Sequence, residues 1–340
     1  MNSQDIIMQP KITIIVPLYN KVAEVGRALK SILTQTISEY ELLIIDGGST
    51  DGSLNVVEPY LQDSRIRLLH QKSKGLPAGR NEAILESKGD LIAFLDADDE
   101  WHPNFLETII RLYNTYPGAG IYATAYERCV IDICKDNIVR GLPPERPWEG
   151  YIPSYFRMYV EAGYPPFCPC SVALDRHVFD KVGYFNPDSR VGEDVEMWVK
   201  VAFNCDIVFT TNMCARYHMV SSNKMINDFK VLEMHPAVTY LLSLPDEYLQ
   251  FHQNRIDIIA FIEYLKLVTV YFNIGAGECK LARKILSESH TNRDIIRRVG
   301  LTVMAHLPRS FGKVFIHQYI KLPLIEYKLR NLFKFGETNK

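Results

Sequence analysis

Four short apolar runs alternate with helix-like patterns over the first hundred residues of the chain. The runs occupy residues 12–16, 42–45, 66–69 and 91–95. Helix-like spacing of apolar residues lies between them, at 22–32, 56–60 and 78–86. Strands that are apolar on both faces and separated by helices are typical of a buried parallel sheet. The pattern therefore predicts a doubly wound α/β fold with a mostly parallel sheet, which binds ligands at the carboxyl ends of its strands.

The pattern loosens after residue 119. It predicts a long strand over 121–133, with Lys135-Asp136-Asn137 as a hairpin turn. Residues 141–170 are rich in proline and aromatic side chains, which indicates an ordered binding loop. A further helix is predicted to begin at Gly192-Glu193-Asp194 and to end near residue 203.

The chain after Ser221 is predicted to be helical. Candidate helices lie at 228–243, 246–272, 276–289 and 313–333. The sequence shows no internal repeat. A C-terminal helical region is therefore expected to follow the α/β part.

Composition and charge narrow the possible classes of protein. The 340 residues are 47% hydrophobic and 23% charged with a net charge of −2, which is ordinary for a globular protein and gives the whole chain no nucleic-acid footprint. No apolar run approaches the ~20 residues that a membrane span needs, and the N-terminus has no signal-peptide core. The seven cysteines form no Cys-x-x-Cys pair, so a reduced, cytosolic chain is expected.

Charge is divided unevenly along the chain. Residues 1–219 hold 21 basic and 29 acidic side chains, whereas residues 220–340 hold 17 and 11. Residues 280–340 alone hold 13 basic and 4 acidic side chains, or a net +9. Such asymmetry is typical of a contact with a membrane surface or a polyanion. The alternative is a helical subdomain that packs on the rest of the protein and exposes a solvated basic face.

Acidic side chains follow the fourth predicted strand. Asp96-Ala97-Asp98 places two carboxylates in one crevice. Ionised neighbours repel unless a cation lies between them, and Mg²⁺ or Mn²⁺ prefers oxygen ligands together with phosphate and water. The alternative is a solvated acidic turn. His218 is a candidate third ligand, although a single histidine has a structural alternative as well.

The loop after the second predicted strand begins with Asp46 and continues as Gly-Gly-Ser-Thr-Asp-Gly. Its glycines allow close approach of the backbone to a ligand, and Asp46 could accept a hydrogen bond from a ring N–H or a ribose hydroxyl. The alternative is an Asx turn with Ser49, Asp51 or Ser53 capping the next helix. Capping fits Asp51 or Ser53 but does not explain Asp46 at the strand end.

Three further charged residues lie near predicted helix starts. Arg80 could reach a diphosphate, since guanidinium suits bidentate contacts with oxyanions, or it could form a structural ion pair. Glu193 and Asp194 either stabilise their helix by about 0.3–1 kcal/mol or supply a general base. The sequence has no P-loop, no Gly-x-Gly-x-x-Gly after the first strand and no Gly-x-Ser-x-Gly. This argues against nucleotide hydrolysis and dinucleotide binding.

Five blocks in this order resemble family 2 glycosyltransferases. The blocks are 14–20, 46–53, 79–81, 94–99 and Glu193-Asp194. The resemblance covers about residues 10–220 and implies a GT-A fold and a nucleotide-sugar donor. One departure is Asp46-Gly47-Gly48-Ser49, where many members have Asp-Asp-Gly-Ser, so the donor preference stays open.

The resemblance implies donor-binding roles for five residues. Pro17, Tyr19 and Asp46 would form the nucleobase pocket, most often for uracil or thymine. Arg80 would lie near the diphosphate, and Asp96 would approach the ribose or the metal.

The resemblance also implies a metal site and a base. Asp98 would bind Mn²⁺ or Mg²⁺ directly, with Asp96 and, more loosely, His218 as further contacts. Asp194 would be the catalytic base, and Glu193 would orient the acceptor or the base. The expected reaction is an inverting single displacement from a UDP- or dTDP-linked sugar to an acceptor hydroxyl, in bacterial polysaccharide or glycan synthesis.

The expected organisation follows from this resemblance. Residues 1–220 would form the catalytic domain, with the nucleotide-sugar half at about 10–100 and the acceptor half at about 101–220. Residues 221–340 would form the basic helical region, with a possible peripheral membrane contact near a glycan or lipid-linked acceptor at the inner face of the membrane. Trp148, Tyr151 and Phe167 are candidate stacking platforms for a sugar.

Two other functions compete with this interpretation. A nucleotidyltransferase acting on sugar phosphates would normally carry a glycine-rich loop after the first strand, where Pro17-Leu18-Tyr19-Asn20 stands. A non-catalytic nucleotide-sugar binding protein would not need Asp96, Asp98 and Asp194 together.

Overall fold

A ten-stranded mixed sheet with flanking helices forms the centre of the protein. The computed structural model describes residues 11–130, 133–137, 139–144, 147–221, 231–289 and 295–307. Within them the strands are β1 Ile12–Leu18, β2 Tyr40–Asp46, β3 Ile66–His70, β4 Leu91–Phe94, β5 Glu100–Trp101, β6 Ile121–Val130, β7 Ile133–Asp136, β8 Glu149–Tyr151, β9 Val172–Asp175 and β10 Ile207–His218. The helices are α1 Val25–Leu33, α2 Ser53–Val57, α3 Leu76–Glu86, α4 Phe105–Thr115, α5 Tyr155–Ala162, α6 His177–Val182, α7 Glu193–Asn204, α8 Pro236–Ser243, α9 Asp246–Phe251, α10 Arg255–Ala276, α11 Cys279–Ser287 and α12 Ile295–His306.

The first four strands form a parallel sheet in the order β3-β2-β1-β4, which confirms the predicted alternation. Leu18 pairs with Asp46, and Asp46 pairs with His70, so the carboxyl ends of β1, β2 and β3 are level. Nearly every side chain of β1, β2 and β4 is buried, as expected for strands covered on both faces. The loops that follow these strands therefore meet at one edge of the sheet.

A single antiparallel strand joins this sheet to its second part. β9 pairs with β4 on one side and with β6 on the other, antiparallel to both, and β6 pairs in parallel with β10. β6 and β10 therefore run in the same direction as β4, and their carboxyl ends reach the same edge. The doubly wound α/β sheet is confirmed as a mixed sheet. Its first part is parallel, and in its second part β5, β7 and β8 add antiparallel pairings to the parallel pair of β6 and β10.

Two local predictions about the second part are wrong. Lys135 and Asp136 pair with Arg128 and Glu127 inside the β6–β7 ladder, so they do not form the predicted hairpin turn. Residues 141–170 are not one long loop, because β8 and the whole of α5 lie within them. The alternation of short apolar and polar stretches in this region concealed a two-turn helix.

The expectation of a fully reduced chain is also wrong, for one pair of cysteines. Cys129 and Cys134 lie opposite each other in the β6–β7 ladder and form a disulfide, with 4.0 Å between their Cα atoms. The other five cysteines are free. A sequence separation of five residues gives no hint of this pairing, because it depends on the hairpin register.

The helices after residue 221 pack on the α/β part. Ala237, Val238 and Leu241 of α8 join the apolar cluster that contains α7, and Phe261 and Leu265 of α10 join the same cluster. α8 and α10 therefore pack on the α/β part, as the alternative to a membrane-surface contact had predicted. The boundary at residue 220 stays a prediction, and one apolar core extends across it.

α10 bears on the expectation that the chain holds no membrane span. Its 22 residues are long and apolar enough to cross a membrane by length and composition, although most of the helix is buried in the protein. Asp257, Glu263 and Lys266 interrupt the run in the sequence, and they lie on α10. The predicted helix at 313–333 lies outside the described residues, whereas α12 was not among the predicted helices.

Candidate active site

The loop after β2 folds back on the carboxylate of Asp46. Asp46 is 3% exposed, and its two oxygens accept hydrogen bonds from the backbone N–H groups of Gly48 and Ser49, each at 3.1 Å. Gly48 has φ of +89°, a conformation that glycine adopts without a Cβ penalty. The Asx turn and the strand-end position are thus both present, and the turn fixes the orientation of this carboxylate.

The loop after β1 is bound to the same turn. Asn20 accepts a hydrogen bond from the Thr50 amide through its side-chain oxygen at 2.8 Å, and its own amide donates to Ser49. Asn20 has φ of +50°, which asparagine tolerates better than most residues. Pro17 is half-buried in β1, and Tyr19 is 56% exposed beside Gly47. Pro17, Tyr19 and Asp46 therefore lie at neighbouring strand ends, as predicted.

A buried guanidinium connects the two parts of the sheet. Arg80, on α3, is 1% exposed. One terminal nitrogen donates to Asp96 Oδ1 at 2.9 Å and the other donates to Glu193 Oε1 at 3.1 Å. The rings of Phe94 and Phe185 flank the group, with centroids 5.9 and 5.5 Å from its central carbon. The structure thus brings Arg80, Asp96 and the first turn of α7 together.

Burial and charge both act on the acids at the start of α7. Burial, with a further contribution from Asp194, raises the pKa of Glu193 to about 7 against the opposing effect of Arg80. Burial also raises the pKa of Asp194, which Arg80 opposes. Burial disfavours the charge of Arg80, but Asp96, Glu193 and Asp194 raise its pKa overall. A carboxyl group with a raised pKa is suited to exchange protons near neutral pH.

Asp98 faces a lysine that the sequence analysis did not single out. Lys21 Nζ lies 3.0 Å from Asp98 Oδ2, and the hydroxyl of Ser221 donates to the same oxygen. Arg27 donates to the backbone carbonyl of Asp98. Lys21 directly follows Asn20 at the end of β1, and this proximity to a predicted ligand loop is the signal that could have identified it.

The structure does not assemble the predicted metal trio. His218 Nε2 lies 3.1 Å from Glu100 Oε1, and its backbone N–H donates to Asp99. Asp96 is bound to Arg80. Among the described residues there is no group of three histidine, cysteine or acidic side chains that could hold a metal ion. Glu100 binds Nε2 of His218, which leaves the other ring nitrogen to be considered, and the role of His218 as a ligand stays a prediction.

The three predicted stacking platforms are either buried or lie far along the sheet from this edge. Phe167 is fully buried between Tyr155 and Trp198, so it has no open face. Tyr151 pairs with Val208 near the start of β10, ten residues before His218. At about 3.3 Å per residue, Tyr151 therefore lies near the opposite edge of the sheet. Trp148 binds Thr211 nearby through its backbone. The acceptor role of these three residues stays a prediction, which the burial of Phe167 and the position of Tyr151 do not favour.

A second residue missed by the sequence analysis supports the acids from behind. Gly192 has φ of +79° and precedes α7, and a Cβ there would lie 2.6 Å from Nε2 of His235. His235 is 4% exposed and accepts a hydrogen bond from the Ala237 amide at the start of α8. Nothing in the local sequence marks His235, because it reaches this turn through tertiary packing.

A family model and several relatives match the chain. The model described as Glycosyl transferase family 2 matches residues 13–183, half of the chain, and ends before Glu193. The uncharacterized glycosyltransferase YibD of Escherichia coli K12 is 38% identical over 103 residues, 30% of each chain. The putative glycosyltransferase EpsH of Bacillus subtilis 168 is 32% identical over 152 residues, 43% of each chain. The matched segment thus spans less than half the length of these relatives.

Two solved structures share the fold over most of their length. TarS residues 1–349 of S. aureus, in complex with UDP-GlcNAc, has a TM-score of 0.56 at 16% identity, covering 91% of this chain and 92% of that one. The mannosyltransferase PcManGT of Pyrobaculum calidifontis, in complex with GDP-Man and Mn²⁺, has a TM-score of 0.58 at 16% identity, covering 96% and 88%. Identities this low show the fold alone, and the expected GT-A type is confirmed.

Proposed function

Because the chain belongs to glycosyl transferase family 2, we propose that it moves a sugar from a nucleoside-diphosphate sugar to an acceptor hydroxyl with inversion at the anomeric carbon. The observation that carries the proposal is the meeting of acids from both parts of the sheet, where Arg80 joins Asp96 to Glu193. A single displacement needs a base on one side of the sugar and a site for the charged leaving group on the other. Asp194 is suited to act as the base, and Asp98 is suited to the site for the charged leaving group.

The donor side is the crevice at the ends of β1 and β2. Asp46 is held rigidly by the two backbone amides, and the exposed ring of Tyr19 offers a stacking face beside it. We infer a UDP- or dTDP-linked donor for this chain from the resemblance of this crevice to a nucleobase pocket. UDP-GlcNAc bound to TarS and GDP-Man bound to PcManGT support a nucleotide sugar in general.

The chemistry at Asp98 fits a divalent cation. Its carboxylate is a hard oxygen donor, and the ammonium of Lys21 at 3.0 Å shows that a positive charge is stabilised there. Mg²⁺ and Mn²⁺ commonly use one or two carboxylates together with substrate phosphates and water. We therefore propose Asp98 as the protein ligand of Mn²⁺ or Mg²⁺. When bound, the cation would neutralise charge on the leaving diphosphate.

The residues at the start of α7 supply the base. Asp194 is partly exposed, and its Oδ1 accepts a hydrogen bond from the Val195 amide at 2.8 Å, which orients the side chain. In the proposed reaction it takes the proton of the acceptor hydroxyl as that oxygen attacks the anomeric carbon. Glu193, held by Arg80, keeps the turn in place. The raised pKa of Asp194 brings its proton affinity closer to that of a working base at neutral pH.

A donor-turnover assay tests this function. The purified full chain is incubated with UDP-, dTDP- and GDP-sugars, with and without Mn²⁺, and the released nucleotide is identified. Release of nucleoside diphosphate is expected. Formation of a nucleoside triphosphate and a sugar phosphate, only when pyrophosphate is added, would establish the nucleotidyltransferase alternative. A thermal shift with a nucleotide sugar but no turnover in the presence of candidate glycan acceptors would favour the non-catalytic binding protein.

We also propose a class of acceptor and a location in the cell. A glycan or lipid-linked acceptor, in bacterial polysaccharide synthesis, would suit the family. A cytoplasmic location with contact at the inner membrane face rests on the net charge of +9 in residues 280–340. Sedimentation with anionic vesicles at low salt tests the membrane contact, and absence of binding would exclude it.

A further inference from the structure

Arg80 is buried to a degree that is unusual for an arginine. It is 1% exposed, whereas arginine is almost never fully buried without partners. The guanidinium lies between the rings of Phe94 and Phe185, and its Nε atom has no hydrogen-bond partner among the described residues. A donor diphosphate approaching from the crevice would first have to displace neighbouring side chains. This environment differs from that of an arginine that waits in solvent for a ligand.

The contacts of Arg80 cross between the two parts of the sheet. Asp96 follows β4, in the part that carries the proposed donor crevice, and Glu193 begins α7, which lies in the chain between β9 and β10 of the second part. The guanidinium is 2.9 Å from a carboxylate oxygen of Asp96 and 3.1 Å from one of Glu193. Arg80 thereby ties the first turn of α7 to the loop that follows β4.

We propose that Arg80 is a positioning residue, which holds Glu193, and with it Asp194, at a fixed place relative to Asp96 and does not bind the donor diphosphate. The inference rests on the proposed function, since Asp194 needs a fixed place only if it acts on a substrate. A base displaced by about 1 Å can lose on the order of 10² in rate. The family resemblance had suggested the diphosphate as the partner of Arg80, and the geometry points to two carboxylates instead.

The charges around Asp194 allow this role to be separated from a structural one. The groups that act on Asp194 are Arg80 and Asp96. The charge of Asp194 also contributes to the raised pKa of Tyr155 and of Tyr159 on α5. His235, which caps α8, lies against Gly192. Arg80 is the cation in this group of residues, and its charge opposes the effect of burial on Asp194. Removing the charge should therefore raise the pH at which Asp194 becomes ionised.

Arg80→Met and Arg80→Lys provide the test, with the full chain and the best donor from the turnover assay. Arg80→Met is expected to lower kcat on the order of 10²-fold and to change the Kd for the free nucleoside diphosphate by less than roughly threefold. The acidic limb of its pH–rate profile should move up by about one pH unit. Arg80→Lys keeps the charge but not the forked geometry, so its kcat should fall while its acidic limb stays near that of the wild type.

The opposite pattern would overturn the inference. Loss of nucleotide affinity by more than tenfold, with kcat and the acidic limb unchanged, would place Arg80 on the diphosphate. Equal loss of kcat in both variants with the wild-type acidic limb would leave Arg80 a purely structural residue.

Two measurements keep the test decisive if folding or activity fails. Thermal unfolding identifies a variant that does not fold, and Arg80→Lys then carries the comparison of kcat with nucleotide affinity. If the wild type transfers no sugar at all, the proposed function fails by itself. ¹³C NMR titration of the Asp194 carboxyl in the wild type and in Arg80→Lys or Arg80→Met then still shows whether the guanidinium acts on this group.

Discussion

Gly192→Ala tests whether the turn before α7 depends on the C-terminal helices. Gly192 has φ of +79° and ψ of +19°, a left-handed conformation that costs an alanine about 1–2 kcal/mol. The new Cβ would lie 2.6 Å from Nε2 of His235, far inside van der Waals contact. His235 cannot move freely, because it is buried and accepts the hydrogen bond of the Ala237 amide. Overpacking of this kind costs about 1–3 kcal/mol.

Gly163→Ala is the matched control. Gly163 ends α5 with φ of +81° and ψ of +10°, but a Cβ there meets its nearest neighbour, the hydroxyl of Tyr264, at an ordinary 3.7 Å. The control should therefore lose about 1–2 kcal/mol of unfolding free energy, and Gly192→Ala should lose about 2–5 kcal/mol. Denaturant unfolding of both variants measures the difference. Donor turnover should fall more in Gly192→Ala than in Gly163→Ala, because the displaced turn before α7 leads into Asp194.

A double-mutant cycle isolates the contact with His235. In a His235→Ala background the space beside Gly192 is open, so Gly192→Ala should lose about 1–2 kcal/mol, as in the control. The reasoning is refuted if Gly192→Ala costs no more than Gly163→Ala, or if its cost is the same with and without the His235 ring.

Three further predictions concern the charged groups. Asp194→Asn should lower kcat by about 10²–10⁴ with little change in nucleotide affinity; the exposed Asp180→Asn serves as control, and wild-type turnover in Asp194→Asn would exclude it as the base. Lys21→Met should tighten Mn²⁺ binding in calorimetry by roughly fivefold, because the ammonium that competes at Asp98 is gone; unchanged or weaker binding would contradict the proposed metal ligand. Burial lowers the pKa of His235 from 6.5 to about 4, so the unfolded chain binds a proton on this imidazole at a higher pH than the folded chain does. The free energy of unfolding should therefore fall by up to about 3 kcal/mol as the pH drops from about 6.5 to about 4. His235→Asn, which keeps a side-chain acceptor, should flatten this dependence, and an unchanged pH profile of unfolding would assign it to other groups.

The sheet and the clustering of the donor-side residues could be predicted because they follow from local patterns. β1, β2 and β4 each contain a run of consecutive apolar residues, and polar residues follow within two positions of each run. Parallel strands bring their carboxyl ends to one edge, so the proximity of Asp46 to the loop after β1 follows without any knowledge of long-range contacts. The start of α7 at Glu193 was predictable for a similar reason, since Gly192 and two acids mark a helix beginning.

The remaining site could not be predicted because it depends on tertiary packing. Phe167 stands in a Pro- and aromatic-rich stretch, yet it packs between Tyr155 and Trp198 in the core. The contact between His218 and Glu100 on the neighbouring strand β5 was not predictable either. None of these three neighbours is adjacent in sequence to the residue that it contacts. The sequence pattern indicates which side chains could react or bind a ligand. The fold determines which residue each of these side chains contacts.

The core shared by α5, α7 and α10 also determines how far the chain can be shortened. Phe261 of α10 contacts the rings of Phe156 and Tyr159 at 5.4 and 5.1 Å, so a chain truncated near residue 220 would present these aromatic faces to water. Such a fragment would contain every acid of the proposed reaction centre and still be expected to aggregate during expression. The smallest soluble version of this protein must therefore extend at least through α10, far beyond the stretch by which its relatives identify it.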